Sequence, residues 1–344
     1  MHILPCALLL FFPWSSSSDA GILVLHIKAV AELHSCGPAR TGSSGSTNAP
    51  ACLVAVRGAL AVNCTIESLV SSPLLPVSPQ ISYWTTSTTL SGALPLADST
   101  FRPHNQISAL THSYINAPDG DLSMQAIYPA GSYSFSHDPQ GGFSFYAPGP
   151  ANVDLTTAKE ATFGYTAYFP SGFDFVKGGK VPGLYGGNSD SEALTCSGGR
   201  RDDGCWSARM MWRTDGAGEL YTYLPPDFPE NQAVCDIPPF STCNDVYGAS
   251  VGRGSFTWET GARTTVAQRV RLNDDGVANG ELELFVGGKS VVNVGGLVIR
   301  NNATGRIRGM QFQTFFGGSD TSWASPTDQQ AFFSDFSVAV TESL

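Results

Sequence analysis

"SARMMWRTDGAGELYTYLP", residues Ser207 to Pro225, decides the fold. Two short alternating runs flank TDGAG, whose Asp and Gly residues suit a tight chain reversal. The pattern is that of an antiparallel hairpin. Pairing Arg213 with Glu219 places Ser207, Arg209 and Met211 on one sheet face with Tyr221 and Tyr223, because side chains alternate along a strand. A register slip of two residues keeps that face, and a slip of one destroys it. A core face rarely holds Arg and Ser beside two tyrosines, so this face is expected to line a cleft.

Similar runs recur outward from the hairpin: "ATFGYTAYFP" (161–170), "TTVAQRVRL" (264–272), "ELELFV" (281–286), "GMQFQTFFG" (309–317) and "FFSDFSVAV" (332–340). Period-two alternation punctuated by Gly, Pro, Asn and Asp indicates about a dozen antiparallel strands in a sandwich or jelly roll. No long helical pattern or fixed-period repeat interrupts them. The expected fold is an all-β jelly roll over residues 99–344, with a concave cleft.

Composition agrees. Of 344 residues only 14% are charged, 37 are Gly and 11% are aromatic, which suits an exported β protein. The net charge of −10 argues against nucleic acid or an acidic membrane as partner, while a local basic groove remains compatible with an anionic polymer. The chain is expected to act as a monomer.

The apolar run Ile3 to Trp14 is too short to span a bilayer and reads as the core of a signal peptide, residues 1–20, with Ala20 a possible cleavage point. Residues 21–98 are rich in Ser, Ala, Leu, Val and Pro, nearly uncharged and without period, so they are expected to be poorly ordered and outside the β domain. Of eight cysteines, Cys6, Cys36, Cys52 and Cys64 lie in this N-terminal part. The others bound two short loops, "CSGGRRDDGC" and "CDIPPFSTC". Without the two-residue gaps and neighbouring His of a metal site, these read as disulfides Cys196–Cys205 and Cys235–Cys243. Export is also compatible with the glycosylation triplets at Asn63 and Asn302.

"KGGKVPGLYGG", Lys177 to Gly187, sets Lys180 among glycines that are expected to leave room for a sugar chain. Lys180, Arg209, Tyr221 and Tyr223 together suit β-elimination on a uronic-acid polymer. Breaking the bond at O4 requires loss of the C5 proton beside a carboxylate, whose charge must be neutralised. A base takes that proton and an acid protonates the leaving oxygen. Two roles fit Lys180: countering the carboxylate or taking the proton. A tyrosinate base would need adjacent cations to lower its pKa, and Lys180 and Arg209 are placed to supply them. The set calls for no metal and no cofactor, and no metal-ligand cluster is evident.

At these residues the chain resembles polysaccharide lyase family 14, the alginate and glucuronan lyases with a β-jelly-roll fold. The resemblance runs from "YPAGSYSFSHDPQGGFSFYAPGP" (128–150) to "FFSDFSVAV". It is carried by "GGKVPGLYGG", by "SARMMWR" followed by "ELYTYL", and by "RLNDDGVANGELELFVGGKSV". It implies that Lys180 is essential and that Ser207, Arg209, Tyr221 and Tyr223 line one cleft. It does not cover residues 1 to about 98.

Further subsites are placed at Arg253, Gln311 and Gln313, with Arg308 nearby; ordinary strand decoration is the alternative. His104, His112 and His137 fall in no motif tied to this chemistry. Two other functions compete. Glu281 and Glu283, two apart on one strand, suit a retaining β-sandwich hydrolase. A noncatalytic sugar-binding jelly roll would need no acid and base pair.

Overall fold

The computed structural model describes residues 72–344. In chain order its strands are β1 (Ser82–Thr85), β2 (Ser113–Asn116), β3 (Leu122–Tyr128), β4 (Phe143–Ala147), β5 (Ala158–Tyr168), β6 (Gly178–Gly187) and β7 (Cys205–Arg213). There follow β8 (Ala217–Tyr223), β9 (Ala249–Thr257), β10 (Arg263–Arg271), β11 (Gly280–Val286), β12 (Lys289–Leu297), β13 (Arg306–Phe316) and β14 (Gln329–Ser343). They form two antiparallel sheets. One has the order β12-β11-β10-β5-β14-β3-β2, with β1 added against β14; the other is six-stranded, β4-β13-β6-β7-β8-β9. This is the expected jelly roll. Among the described residues no helix is long and apolar enough to cross a membrane.

The core fills the space between the sheets. From the larger sheet, Phe163, Tyr165, Phe333, Phe336 and Val338 point inward; from the smaller, Leu184, Trp206, Met210, Trp212, Phe312 and Phe316 meet them. Phe312 packs 5.1 Å from Phe336 and 5.8 Å from Phe163, ring centre to ring centre. Burial of each such side chain stabilises the fold by about 1.5–3 kcal/mol.

Strand β7 shows how the sequence sorts its two faces. Trp206, Ala208, Met210 and Trp212 enter the core, and Ser207, Arg209, Met211 and Arg213 take the other side. The observed pairs are Ser207 with Tyr223, Arg209 with Tyr221 and Met211 with Glu219. The register is thus two residues from the pairing of Arg213 with Glu219, and the shared face survives. Asp215 and Gly216 turn the chain with φ of 58° and 75°, the left-handed region that Asp tolerates and Gly favours.

Two glycines of β6 also serve the core. A Cβ at Gly179 would stand 2.0 Å from the Trp212 ring, and one at Gly186 would stand 2.5 Å from Trp206 Nε1. These two glycines make room for two core indoles.

The boundary near residue 98 also needs correction. Strand β1 pairs with Ser337–Val340 of β14, Trp84 is buried against Phe101, and Leu74 and Leu75 are buried as well. Buried apolar surface therefore extends the fold upstream at least to Leu74. The expected signal peptide, Asn63, the four N-terminal cysteines and the rest of the low-complexity stretch lie outside the described residues.

Candidate active site

The outer face of the six-stranded sheet gathers the expected polar residues. On β7, Arg209 stands between Gly183 of β6 and Tyr221 of β8, and Ser207 stands between Tyr185 and Tyr223. One step the other way, Lys180 neighbours Met211, which neighbours Glu219. From β13, Gln311 and Gln313 reach the same face, opposite Tyr146 and Ser144 of β4.

Arg209 is only 1% exposed. Its Nη1 donates to Gln313 Oε1 at 2.8 Å, and Gln313 in turn donates to Ser144 Oγ at 3.0 Å. Gln311 Nε2 donates to the same Gln313 oxygen at 2.8 Å and to the Tyr146 hydroxyl at 3.1 Å. Arg209 Nε and Nη2 and Gln311 Oε1 have no protein partner. A buried guanidinium without a carboxylate is costly unless an anion completes it.

The Lys180 ammonium lies 4.4 Å from the centre of the Tyr221 ring and 5.4 Å from that of Phe315. Burial holds its pKa well below the ordinary lysine value. Arg209 and Arg213 push the same way, and Glu219 opposes them. Burial and the neighbouring Tyr223 raise the Tyr221 pKa, outweighing Arg213 and Arg209. The expectation that nearby cations would ready a tyrosinate is therefore reversed. Desolvation disfavours the charged form of each group, so the Tyr221 phenol is pushed toward its protonated form and the Lys180 amine toward its neutral one.

A disulfide-closed loop covers the Ser207 end of this face. Cys196 and Cys205 are joined, with Cα atoms 5.7 Å apart. Within the loop, the Cys196 carbonyl accepts from Ser207 Oγ at 2.7 Å, and the Gly199 N–H donates to the Tyr223 hydroxyl at 3.0 Å. Arg201 ties the loop to the Asn244 carbonyl at 3.1 Å. The second expected bridge, Cys235–Cys243, is also formed.

Arg253 reaches the face from β9, where its Nε lies 2.8 Å from Glu219 Oε2. Arg308 turns instead to Asp190 and to the backbone of Gly187 and Asn188. Sequence reading missed Glu219, Tyr146 and Ser144 as members of the site. Alternation in "FSFYA" puts Ser144 and Tyr146 on one face, but only strand order brings that face beside Arg209.

The hydrolase reading fails on geometry. Glu281 and Glu283 lie on the other sheet, where both bind Arg269, at 2.6 and 3.0 Å, together with Glu160 at 2.6 Å. Carboxylates locked on one guanidinium are not a free nucleophile and acid. A hollow of about 270 Å³ between Pro118, Phe173, Asp328 and Phe332 shares no residue with the Lys180 cluster, so converging charge and burial, not volume, locate the site.

Comparison with known proteins identifies the family and the fold. The family model described as Polysaccharide lyase 14 matches residues 116–336. The crystal structure of a PL-14 alginate lyase from Aplysia kurodai is 29% identical, covers 76% of this chain and 100% of its own, and superposes with a TM-score of 0.64. An alginate lyase from a Chlorella virus, 23% identical over 76% of this chain and 100% of its own, shares the fold with a TM-score of 0.60. No curated protein matches the sequence.

Proposed function

The chain belongs to polysaccharide lyase family 14, and from that premise we propose that it cleaves alginate or a β-1,4-glucuronan by β-elimination at the Lys180–Arg209–Tyr221 cluster. The observation that carries this reading is Arg209, a buried guanidinium whose Nε and Nη2 have no protein partner. A planar fork of that kind suits a carboxylate held at two points.

With the uronate carboxylate on Arg209 and supported by Gln311 and Gln313, negative charge developing at C5 is stabilised in a site shielded from water. Lys180, its pKa lowered by burial, removes the C5 proton as the neutral amine. The C5–H electrons form the C4–C5 double bond as the C4–O4 bond breaks. Tyr221, kept protonated by burial, gives its proton to O4. Lys180 ends as ammonium and Tyr221 as tyrosinate, and proton return between them and solvent restores the site. Tyr223 and Ser207, already held by the disulfide loop, position the sugar. A binding module would have no use for a lysine poised to lose its proton beside a tyrosine poised to keep one.

Two disulfides support action in an oxidising, extracellular compartment. The test is direct. Purified protein is incubated with alginate and with glucuronan while ultraviolet absorbance of the unsaturated product ends is followed. New reducing ends without that absorbance would indicate hydrolysis, and neither signal would indicate a binder.

A further inference from the structure

Arg213, Glu219 and Arg253 form a cluster that supplies no reacting group to the elimination steps. Glu219 is fully buried, yet it holds two arginines: Arg213 Nη2 lies 2.6 Å from Oε1 and Arg253 Nε lies 2.8 Å from Oε2. The Ser250 hydroxyl also donates to Oε2, and Arg253 Nη2 returns to Ser250 Oγ at 3.0 Å. Two guanidiniums on one carboxylate leave a net positive charge. The arginines are not sealed in, since their side chains are 13% and 32% exposed.

Arg253 is fixed a second time. Its guanidinium lies 5.2 Å from the Phe240 ring, and its backbone N–H donates to the Phe240 carbonyl at 2.7 Å. Phe240 stands in the short loop closed by Cys235–Cys243. Neutralising one buried carboxylate takes a single cation; presenting a second, rigidly held, points to an anion outside the protein.

Position supplies the rest. The outward residues of β7 stand about 6.6 Å apart along the strand, so Arg213 lies about 13 Å beyond Arg209. The Ser207 end is covered by the 196–205 loop, and the arginine cluster lies toward the opposite end. Every sugar of a uronan carries a carboxylate. A chain with one carboxylate on Arg209, running away from the covered end, brings another to Arg213 and Arg253. We propose that these two arginines form a second uronate-binding subsite and that Glu219 is its positioning residue. This rests on the reading of Arg209 as the partner of the reacting uronate.

The experiment is calorimetric binding of saturated oligouronates of increasing length to the full chain carrying Lys180→Ala, which blocks turnover. Affinity should rise once the oligomer reaches the second subsite. Adding Arg253→Gln should remove that rise, leaving the longer oligomers about tenfold or more weaker and the shortest nearly unchanged. Glu219→Gln should act in the same direction by releasing both arginines. If it fails to fold, the more exposed Arg253→Gln decides alone. Equal weakening at every length, or none at any, would overturn the subsite. Should the unmodified chain give no unsaturated ends while the length effect holds, the elimination reading fails and the subsite stands. Elimination without a length effect means the reverse.

Discussion

Lys180 Nζ sits 4.4 Å from the centre of the Tyr221 ring, and the two groups are pushed in opposite directions: the lysine toward neutrality, the phenol toward keeping its proton. These are the directions that the proposed base and acid roles require. Burial drives both shifts, because it disfavours the ammonium and the phenolate alike.

The pH dependence of kcat/KM should follow from those signs. Lys180 must be neutral to act, so the rate climbs as pH rises through a pKa below the ordinary lysine value of about 10.4. Tyr221 must stay protonated, so the falling limb lies above the ordinary tyrosine value of about 10. A rising limb at the ordinary lysine value would remove Lys180 as the base. The same sign sets a stability effect: charged Lys180 costs the fold stability below its lowered pKa, and that cost is lost as pH rises from there to the ordinary lysine value. Lys180→Met should therefore melt no lower than the parent chain at neutral pH.

Opening the Cys196–Cys205 bridge should affect the site as well as the fold. Its loop holds Ser207 through the Cys196 carbonyl and Tyr223 through the Gly199 N–H. Replacing both cysteines with alanine should lower stability by about 2–4 kcal/mol and also reduce elimination at temperatures where the variant stays folded. Peptide mapping without reduction should recover both bridges; free thiols at these four positions would contradict the arrangement.

Trp84 tests where the domain begins. It is 2% exposed and packs on Phe101, in a strand paired with β14. Trp84→Ala should cost about 3–5 kcal/mol, read by denaturant unfolding. A chain starting at Ser99 should be destabilised at least as much. Cooperative unfolding at the parent midpoint would return the boundary to residue 98.

Glu281→Gln and Glu283→Gln, made singly, should leave elimination rates near the parent value, because both side chains bind Arg269 on the other sheet. Reducing ends released without unsaturated product, and lost about a hundredfold in either variant with folding intact, would revive the hydrolase reading.

The sequence announces the hairpin because its message is parity: Ser207, Arg209, Tyr221 and Tyr223 share a face in the observed register and in one two residues away. Four-residue β1 carries too few alternations to register as a strand, and only Trp84 filling the core reveals it. Glu219 reads locally as a surface partner of Arg213; its burial comes from β9, which delivers Ser250 and Arg253 from some thirty residues onward. That Gly179 and Gly186 also make room for Trp212 and Trp206 is not legible in the sequence, because the indoles come from the neighbouring strand. The Tyr221 pKa is hidden for a related reason, since charges can be counted in a sequence but desolvation cannot.

The central claim is that Lys180 takes the C5 proton rather than merely countering charge. Lys180→Arg keeps a cation at that place but cannot present a neutral amine near neutral pH. The measurement is the rate of unsaturated-uronate absorbance from alginate and glucuronan for the parent chain, Lys180→Arg and Tyr221→Phe, with melting curves run in parallel. The account predicts a loss of about 10²–10⁴ in both variants with folding preserved. Near-parent elimination by a folded Lys180→Arg chain would contradict it.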